Sequence, residues 1–333
     1  MSLLSTTPLS VLDLAPIRDQ GTAAESFKNS VALAQKSEAL GFHRLWLAEH
    51  HNIDGISSAA TAVLLGHLAQ QTATLRLGSG GVMLPNHAPL IIAEQFGTLA
   101  TLHPNRIDLG LGRAPGTDGT TLRALRRDYS AADTFPQDVI ELLDFLGPAQ
   151  PGQRVKAIPG QGTEVPVWLL GSSGFSAQLA ARLGLPFAFA SHFAPAYMYE
   201  AIRLYREQFE PSAHLDKPYV MLCLPVVAAD TDEEAAFHAT TVQQKFLNLR
   251  RGRSTRSAPP VEQMEWLPIE EAQVRQHLAE AIIGGPERIK AGLERVLEAT
   301  GADELMLNAD FYRLEDRLHN YEIIAQVAGL AAR

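Results

Sequence analysis

Eight short β-type runs alternate with longer helical patterns along the chain of 333 residues, and this alternation constrains the fold more than any other feature. Several of the runs are apolar at consecutive positions, which is typical of parallel strands that are buried on both faces. The segments between them repeat apolar residues every three to four positions, as amphipathic helices do. Strands that alternate with helices predict a parallel sheet. The predicted strands are residues 9–14, 44–48, 75–84, 107–111, 165–170, 187–191, 219–227 and 304–308.

Eight strand–helix units without a Pro/Ser-rich linker predict an α/β fold, a single (β/α)8 TIM barrel over residues 1–333. An open, doubly wound sheet is the structural alternative. No G-x-G-x-x-G pattern follows the first strand, which weakens that alternative for a dinucleotide-binding protein. Residues 114–135 and 250–268 do not fit the repeat, and both are predicted to be extended loops on the rim of the barrel.

The composition excludes several classes of protein. Apolar residues make up 46% and charged residues 20% of the chain, as in an ordinary globular protein, so a disordered chain is not expected. With 28 basic and 37 acidic side chains the net charge is −9, which argues against nucleic acid or an anionic membrane as the main partner. The single cysteine, Cys223, excludes an internal disulfide and a thiolate metal cluster. The start lacks a signal-peptide pattern, and no stretch approaches about 18 apolar residues, so a cytoplasmic location is predicted.

Two adjacent histidines follow the second predicted strand, in the sequence Glu49-His50-His51. Active sites of α/β barrels lie at the carboxyl ends of the strands, so these side chains are candidates for catalysis. Imidazole suits proton transfer near neutral pH, and Glu49 is placed to orient it. Adjacent residues at a strand end face different sides, so at most one of the two histidines is expected in the cavity. A structural histidine that bonds to a neighbouring loop is the alternative.

The third predicted strand ends in a glycine-rich run, Gly78-Ser79-Gly80-Gly81. Glycines weaken a strand and mark either a bulge or the close approach of a ligand to the backbone. Because Gly80 and Gly81 have no Cβ, a flat aromatic ring fits against their peptide plane. Taken alone, this segment favours a simple bulge at a corner of the barrel.

Residues suited to phosphate binding follow the fourth and fifth predicted strands. Arg113, which is flanked by glycines, is placed to bind a phosphate through two hydrogen bonds. The turn over residues 171–176 begins a helix, whose free N–H groups and dipole favour an anion. Surface pairing of Arg113 with Asp118 and helix capping by Ser172 or Ser173 are the alternatives. Because these strands are neighbours in a barrel, the combination favours one shared phosphate site.

A metal-dependent hydrolase is a further alternative that the sequence supports only weakly. His192 follows the sixth predicted strand and Asp310 follows the last, as metal ligands in barrel hydrolases do. The first strand, however, offers Leu12-Asp13-Leu14 and no histidine. Three nitrogen ligands are therefore hard to assemble, and no metal site is predicted.

Together, four segments resemble the bacterial luciferase-like flavin oxidoreductases, and they are most similar to the single-chain group of monooxygenases in that family. The likeness covers the first two-thirds of the chain in order and spacing, whereas the last third matches in helix–strand pattern more than in motif. As a set the segments are specific, although no single one would suffice. They are residues 45–51, 75–85, 91–116 and 166–173.

The resemblance implies a barrel that binds FMN at the carboxyl ends of its strands. In this family a histidine at the position of His50 affects the reaction of the flavin with oxygen, so His50 and its neighbour His51 are the candidate catalytic residues. Residues corresponding to Ser79, Gly80 and Gly81 lie under the flavin ring, and a cis peptide bond is expected between the two glycines. The residues implied around the FMN phosphate are Arg113, Ser172, Ser173, Gly174 and Ser176.

The chain departs from luciferase itself at two of these places. Luciferase has a cysteine where Gly112 stands and a carboxylate where Ser172 stands. The first difference removes any thiol role near the flavin. The second leaves a less acidic phosphate pocket.

The resemblance therefore implies a monooxygenase that uses reduced FMN and molecular oxygen on an unidentified small organic substrate. A separate flavin reductase is expected to supply the reduced FMN, and the family resemblance suggests a homodimer. Hydride transfer with a deazaflavin is one alternative, because related barrels use that cofactor. A flavin-binding protein without catalytic activity is the other.

Overall fold

The computed structural model describes residues 3–331 as nine β-strands and twelve α-helices with three short 3-10 helices. The strands are β1 (Leu9–Asp13), β2 (Arg44–Leu47), β3 (Arg76–Met83), β4 (Ile107–Gly112), β5 (Val167–Gly171), β6 (Phe187–Ala190), β7 (Val220–Ala228), β8 (Ile282–Gly284) and β9 (Glu304–Asn308). The α-helices are α1 (Leu3–Thr6), α2 (Ala23–Ala39), α3 (Thr61–Gln70), α4 (Pro89–Leu102), α5 (Gly119–Ala124), α6 (Phe135–Leu146), α7 (Gly174–Leu183), α8 (Met198–Glu207), α9 (Asp232–Arg250), α10 (Pro268–His277), α11 (Pro286–Thr300) and α12 (Leu314–Ala328). The 3-10 helices are Leu84–Asn86, Tyr129–Ala132 and Pro195–Tyr197.

Eight of the strands form a closed parallel barrel. Strands β1 to β7 pair in sequence order, and β9 closes the circle between β7 and β1. The closing pairs have Leu9 beside Leu305 and Met221 beside Glu304. The predicted (β/α)8 barrel is confirmed, and the open doubly wound sheet is wrong. No helix within residues 3–331 has the length and apolarity that crossing a bilayer requires.

Strand β8 was not predicted from the sequence. It is three residues long and pairs only with the distal end of β7, where Val226 lies beside Ile282. The eight barrel strands are therefore the eight predicted ones, and β8 is an addition outside their circle. A run of three residues is too short to give a periodic pattern.

The two segments predicted as rim loops differ in structure. Residues 114–135 contain α5 and a 3-10 helix, so this segment is not entirely loop. Asp118 begins α5, because its side chain accepts hydrogen bonds from the backbone N–H groups of Thr120 and Thr121. Residues 251–267 connect α9 to α10 and contain an isolated bridge between Ser257 and Arg18.

The interior of the barrel is filled by side chains in two layers. An apolar layer includes Leu12, Trp46, Trp168, Met221 and Met306. The indole rings of Trp46 and Trp168 meet edge to face, with centroids 5.3 Å apart. Closer to the amino ends of the strands lies an ionic layer, which contains the buried side chains of Arg44, Asp108 and Glu304. The open space of the barrel is thereby confined to the carboxyl ends of the strands, where barrel enzymes have their active sites.

Candidate functional site

A cavity of about 420 Å³ lies at the carboxyl ends of the strands. Every barrel strand, or the loop that follows it, contributes to its wall. Volumes in this range suit a small-molecule ligand or cofactor. The residues that line it include Leu12, Leu14, Trp46, Ala48, His50, Gly80, Gly81, Met83, Gly112, Arg113, Leu170, Ser172, Ser173, Ser176, Ala190, His192, Cys223 and Met306.

Most of the residues singled out in the sequence lie in the wall of this cavity. Three of them do not line it, namely His51, Ser79 and Gly174. Those that do are His50, Gly80, Gly81, Arg113, Ser172, Ser173 and Ser176.

The carboxyl end of β3 presents backbone, rather than side chains, to the cavity. The peptide bond between Gly80 and Gly81 is cis, as the family resemblance implies. A Cβ on Gly80 would lie 2.9 Å from Leu12 Cδ1, and one on Gly81 would lie 2.9 Å from the carbonyl oxygen of Gly110. The register of β3 against β4 also shifts here, so the bulge that the glycines indicate is present. The packing of this strand end therefore admits no side chain at either position, and only backbone of Gly80 and Gly81 faces the cavity.

Ser79 stabilises the same strand end from outside the cavity. Its hydroxyl donates to the carbonyl oxygen of Gly110 at 2.8 Å and accepts from the N–H of Gly110 at 3.0 Å. The side chain is fully buried. Ser79 therefore joins β3 to β4 and holds the glycine pair in place.

The guanidinium group of Arg113 is available to a ligand. It stacks on the ring of Phe175 at 4.0 Å from the ring centroid. Within residues 3–331, Arg113 forms neither an ion pair nor a hydrogen bond. The alternative pairing with Asp118 is wrong, because that carboxylate caps α5 instead. A cation held against an aromatic face with free N–H donors suits a phosphate.

The start of α7 lies beside Arg113 in the cavity wall. Ser173 is the N-cap residue of this helix, but its side chain makes no capping hydrogen bond. Within residues 3–331 the first N–H groups of α7 have no side-chain acceptor, which is the arrangement that anions use at helix N-termini. The side chain of Ser173 therefore does not cap α7, and phosphate binding at this helix start stays a prediction.

The two adjacent histidines take different positions. His50 lines the cavity, and its Nδ1 lies 3.4 Å from the carbonyl oxygen of Gly116. Burial lowers the pKa of His50, which favours the neutral imidazole. The ring of His51 instead contacts Glu49, with 2.8 Å between Nε2 and Oε1.

Glu49 joins three chain segments behind the cavity. Its Oε1 is 2.8 Å from Nε2 of His51 and 2.8 Å from Nε2 of His87, and its Oε2 accepts the N–H of Met83 at 3.3 Å. Burial alone would raise the pKa of Glu49, but the hydrogen bonds from the two histidines lower it to about 2. Glu49 therefore orients His51, one of the two adjacent histidines for which this role was predicted, and also His87.

Replacing Glu49 by glutamine is expected to lower the free energy of unfolding by about 3 kcal/mol at pH 7. The pKa of this carboxyl is about 2 in the folded chain against 4.5 for the free group. Its stabilising contribution is thus complete above pH 4.5 and is lost as the pH falls toward 2. Urea unfolding at pH 7 and pH 3 measures the effect, with the exposed Glu262→Gln as the matched control. If wild type and Glu49→Gln differ in the free energy of unfolding by the same amount at both pH values, the ionised carboxylate of Glu49 does not stabilise the fold in this way.

Sequence reasoning missed His192 as a residue of this cavity and considered it only as a metal ligand together with Asp310. In the structure, Asp310 accepts hydrogen bonds from Lys245 Nζ at 2.6 Å and from Ser257 Oγ at 2.8 Å. His192 instead lines the cavity. The rule that selected His50 could also have selected His192, because His192 likewise follows a barrel strand. Cys223 was noticed only as the single cysteine, and it lines the same wall.

Comparison with known proteins agrees with this architecture. A family model described as luciferase-like monooxygenase matches residues 7–304. A relative from Escherichia coli K12, named luciferase-like monooxygenase, is 53% identical over 325 residues that cover 97% of each chain. An N-acetyl-S-alkylcysteine monooxygenase from Bacillus subtilis is 37% identical over 258 residues, which cover 74% of this chain and 75% of the relative.

Solved structures share this fold. The crystal structure of apo-MsnO8 superposes with a TM-score of 0.89 at 33% identity and covers 98% of this chain and 100% of that one. Two more distant structures share the fold. One is the oxygenating constituent of 3,6-diketocamphane monooxygenase from Pseudomonas putida in complex with FMN, with a TM-score of 0.76, 14% identity and coverage of 100% and 99%. The other is an F420-dependent secondary alcohol dehydrogenase, with a TM-score of 0.73, 15% identity and coverage of 98% and 99%. The sequence match over most of the chain and the closed barrel together establish that this protein belongs to the luciferase-like monooxygenase family.

Proposed function

We propose that this protein is a flavin-dependent monooxygenase that uses reduced FMN and molecular oxygen to oxygenate a small organic substrate. The observation that carries the proposal is the wall of one cavity. There the guanidinium of Arg113 and the first N–H groups of α7 have no polar side-chain partner among the described residues, and they lie together with the glycine backbone of β3 and the neutral imidazole of His50. The family and the FMN complex of 3,6-diketocamphane monooxygenase support it. Oxygen transfer would place one oxygen atom in the substrate and the other in water, with both electrons supplied by reduced FMN.

The phosphate of FMN would bind at the ends of β4 and β5. Arg113 supplies a guanidinium without another partner in the described part of the chain. Ser172, Ser173 and Ser176 lie at the start of α7 and add hydroxyl groups to its free N–H donors. Charge-assisted hydrogen bonds of this kind are stronger than neutral ones.

The flavin ring would lie against the end of β3. Gly80 and Gly81 line the cavity without a side chain, and the packing requires glycine at both positions, because a Cβ on either would meet neighbouring protein atoms at 2.9 Å. Trp46 and Met83 extend the same wall with apolar surface. An apolar wall with few polar groups is typical of cofactor sites, and it keeps water from the reacting centre.

His50 would hold and move the proton that the reaction requires. Because burial lowers its pKa, the imidazole is neutral at pH 7 and can accept a proton from a ligand or deliver one after accepting it. The carbonyl oxygen of Gly116, 3.4 Å from Nδ1, orients the ring. The segment with Ala114 and Gly116 borders the same cavity.

Hydride transfer with a deazaflavin is the second candidate, because an F420-dependent alcohol dehydrogenase shares the fold. Separate titrations with FMN and with F420 distinguish the two cofactors. Oxygen consumption that requires reduced FMN and an organic substrate would separate a monooxygenase from a protein that only binds flavin. We also propose, from the family resemblance, that a separate reductase supplies reduced FMN and that the protein acts as a cytoplasmic homodimer.

Replacing Arg113 by methionine is expected to weaken FMN binding about 10- to 100-fold, because a charge-assisted phosphate contact is lost. The affinity for riboflavin, which has no phosphate, should stay within about twofold of wild type. Titrations with oxidised FMN and, under anaerobic conditions, with photoreduced FMN measure both constants by fluorescence and absorbance. Arg203→Met on α8, whose guanidinium pairs with Glu200 and Glu207, is the matched control.

Two results would count against these assignments. An equal loss of FMN and riboflavin affinity in Arg113→Met would remove Arg113 from the phosphate site. No saturable binding of FMN by the wild-type protein, oxidised or reduced, would overturn the proposed function as a whole.

A further inference from the structure

An aromatic ring supports the guanidinium of Arg113 from outside the cavity. The Cζ atom of Arg113 lies 4.0 Å from the centroid of the Phe175 ring. Arg113 is one of the residues that line the cavity, whereas Phe175 is not, and 39% of Phe175 is exposed. The ring of Phe175 therefore contacts a side chain of the cavity wall without occupying the cavity itself.

The N–H donors of Arg113 remain available in this arrangement. They lie in the plane of the guanidinium, so a ring stacked on its face does not cover them. Within residues 3–331 these nitrogens have no hydrogen-bond partner, and they are not among the buried side-chain nitrogens that lack one. The nitrogens are therefore accessible to solvent, as the binding of a phosphate requires.

Phe175 also joins the two elements that are assigned to phosphate binding. Arg113 directly follows β4, and Phe175 is the second residue of α7, whose start carries Ser172 and Ser173. The cation–π contact thus connects the arginine to this helix start. An arginine without such a contact would sample several rotamers and would lose that freedom when a ligand binds.

We propose that Phe175 is a positioning residue, which holds the guanidinium of Arg113 in place for the phosphate group of FMN. This inference rests on the proposed function and deepens it, because it assigns a residue that acts through Arg113 rather than by touching the cofactor. Stacking on Phe175 restricts Arg113 before the ligand arrives, so less conformational entropy is lost on binding. Only a ligand that carries a phosphate gains from this restriction.

Replacing Phe175 by leucine tests this role. Leucine is apolar but has no aromatic face, so FMN should bind about fivefold more weakly, the effect of one cation–π contact. Riboflavin has no phosphate, and its affinity should stay within about twofold of wild type. Phe175→Tyr keeps an aromatic face and should bind FMN within about twofold of wild type. Tyr199→Leu, at an exposed aromatic residue of α8 outside the cavity wall, is the matched control.

A double-mutant cycle shows whether Phe175 acts through Arg113. In the Arg113→Met background there is no guanidinium to position, so adding Phe175→Leu should change the affinity for FMN by less than about twofold. If Phe175 only stabilised the structure of α7, its replacement would weaken FMN binding by the same factor in both backgrounds. Thermal unfolding of each variant verifies that it is folded before its binding is compared.

The stack can also be measured without flavin. Because the guanidinium lies over the ring of Phe175, the ring current should shift the ¹H resonance of the Arg113 Nε–H group upfield. The resonance is assigned by its absence from the spectrum of Arg113→Met. The upfield shift should persist in Phe175→Tyr and disappear in Phe175→Leu.

The outcomes distinguish this inference from the proposed function. If the wild-type protein binds neither FMN nor riboflavin, the proposed function fails. If it binds FMN, but Phe175→Leu binds FMN as tightly as wild type, only the role of Phe175 is overturned. Equal losses of FMN and riboflavin affinity in Phe175→Leu, or an equal loss of FMN affinity with and without Arg113, would overturn it as well. So would an FMN affinity of Phe175→Tyr as low as that of Phe175→Leu.

Discussion

Replacing Arg44 by methionine is expected to lower the free energy of unfolding by about 3–5 kcal/mol, the cost of leaving buried charges without a partner. Arg44 Nη1 lies 2.7 Å from Asp108 Oδ2, and its Nε and Nη2 lie 2.9 Å and 3.1 Å from the carboxylate oxygens of Glu304. Both carboxylates are fully buried. Urea unfolding at pH 7 measures the loss.

The loss should shrink as the pH falls. Without Arg44, burial raises the pKa of Glu304 in the folded chain further above that in the unfolded chain. A raised pKa means that the folded state binds more protons, so the variant regains stability at lower pH. Even with Arg44 present, burial raises the pKa of Glu304. Urea unfolding at pH 7 and pH 5 tests whether the loss of stability in Arg44→Met is smaller at the lower pH.

Arg76→Met is the matched control for Arg44→Met. Arg76 also donates to Asp108, but its side chain is 25% exposed, and its loss leaves Asp108 paired with Arg44. A smaller loss of stability is expected. If the two variants lose equally, or if Arg44→Met is as stable as wild type, the ionic layer does not stabilise the barrel as described.

The barrel could be predicted because the patterns that indicate its strands and helices each lie within one short segment of the chain. Consecutive apolar residues in β7 and regular helical spacing in α11 reflect burial on both faces of a strand and on one face of a helix. Such patterns can be recognised in the sequence without knowing which other elements the strand or helix packs against. Strand β8 has no such pattern, because three residues cannot show a period.

The cavity could be predicted in part, because its residues follow directly after strands. The rule that barrel sites lie at the carboxyl ends of strands selects His50, Arg113 and Ser173, and all three line the cavity. The rule does not say which way each side chain faces. It therefore did not separate His50 from His51, and it was not applied to His192, which also lines the cavity.

The ionic layer could not be predicted, because its partners are far apart in the chain. Arg44 and Glu304 are separated by 260 positions, and neither segment contains a sequence pattern that indicates its partner. The pairing depends on the closure of β9 against β1, which places both residues inside the barrel. The layer also bears on the site, since Trp46 of the cavity wall donates from Nε1 to Asp108 at 3.3 Å.

Replacing His50 by alanine is expected to slow the reoxidation of protein-bound reduced FMN by oxygen on the order of 100-fold, the usual contribution of a positioned acid–base group. His50 lines the cavity and is kept neutral by burial, whereas His51 contacts Glu49 behind it. His51→Ala is therefore the matched control and should have a much smaller effect. Stopped-flow absorbance of oxidised flavin, after reduced FMN on each variant is mixed with oxygen, measures the rates.

The pH profile and chemical rescue separate a proton-transfer role of His50 from a structural one. Burial lowers the pKa of His50 below its ordinary 6.5, so the wild-type rate should stay constant from pH 8 to below pH 6.5 and then fall as the imidazole is protonated. His50→Ala has no imidazole to protonate, so its rate should not show this fall. Imidazole added to the buffer can enter the space that alanine leaves and should restore part of the rate, while leaving His51→Ala unchanged. Equal slowing in the two variants, or a His50→Ala rate that matches wild type, would show that His50 does not transfer the proton.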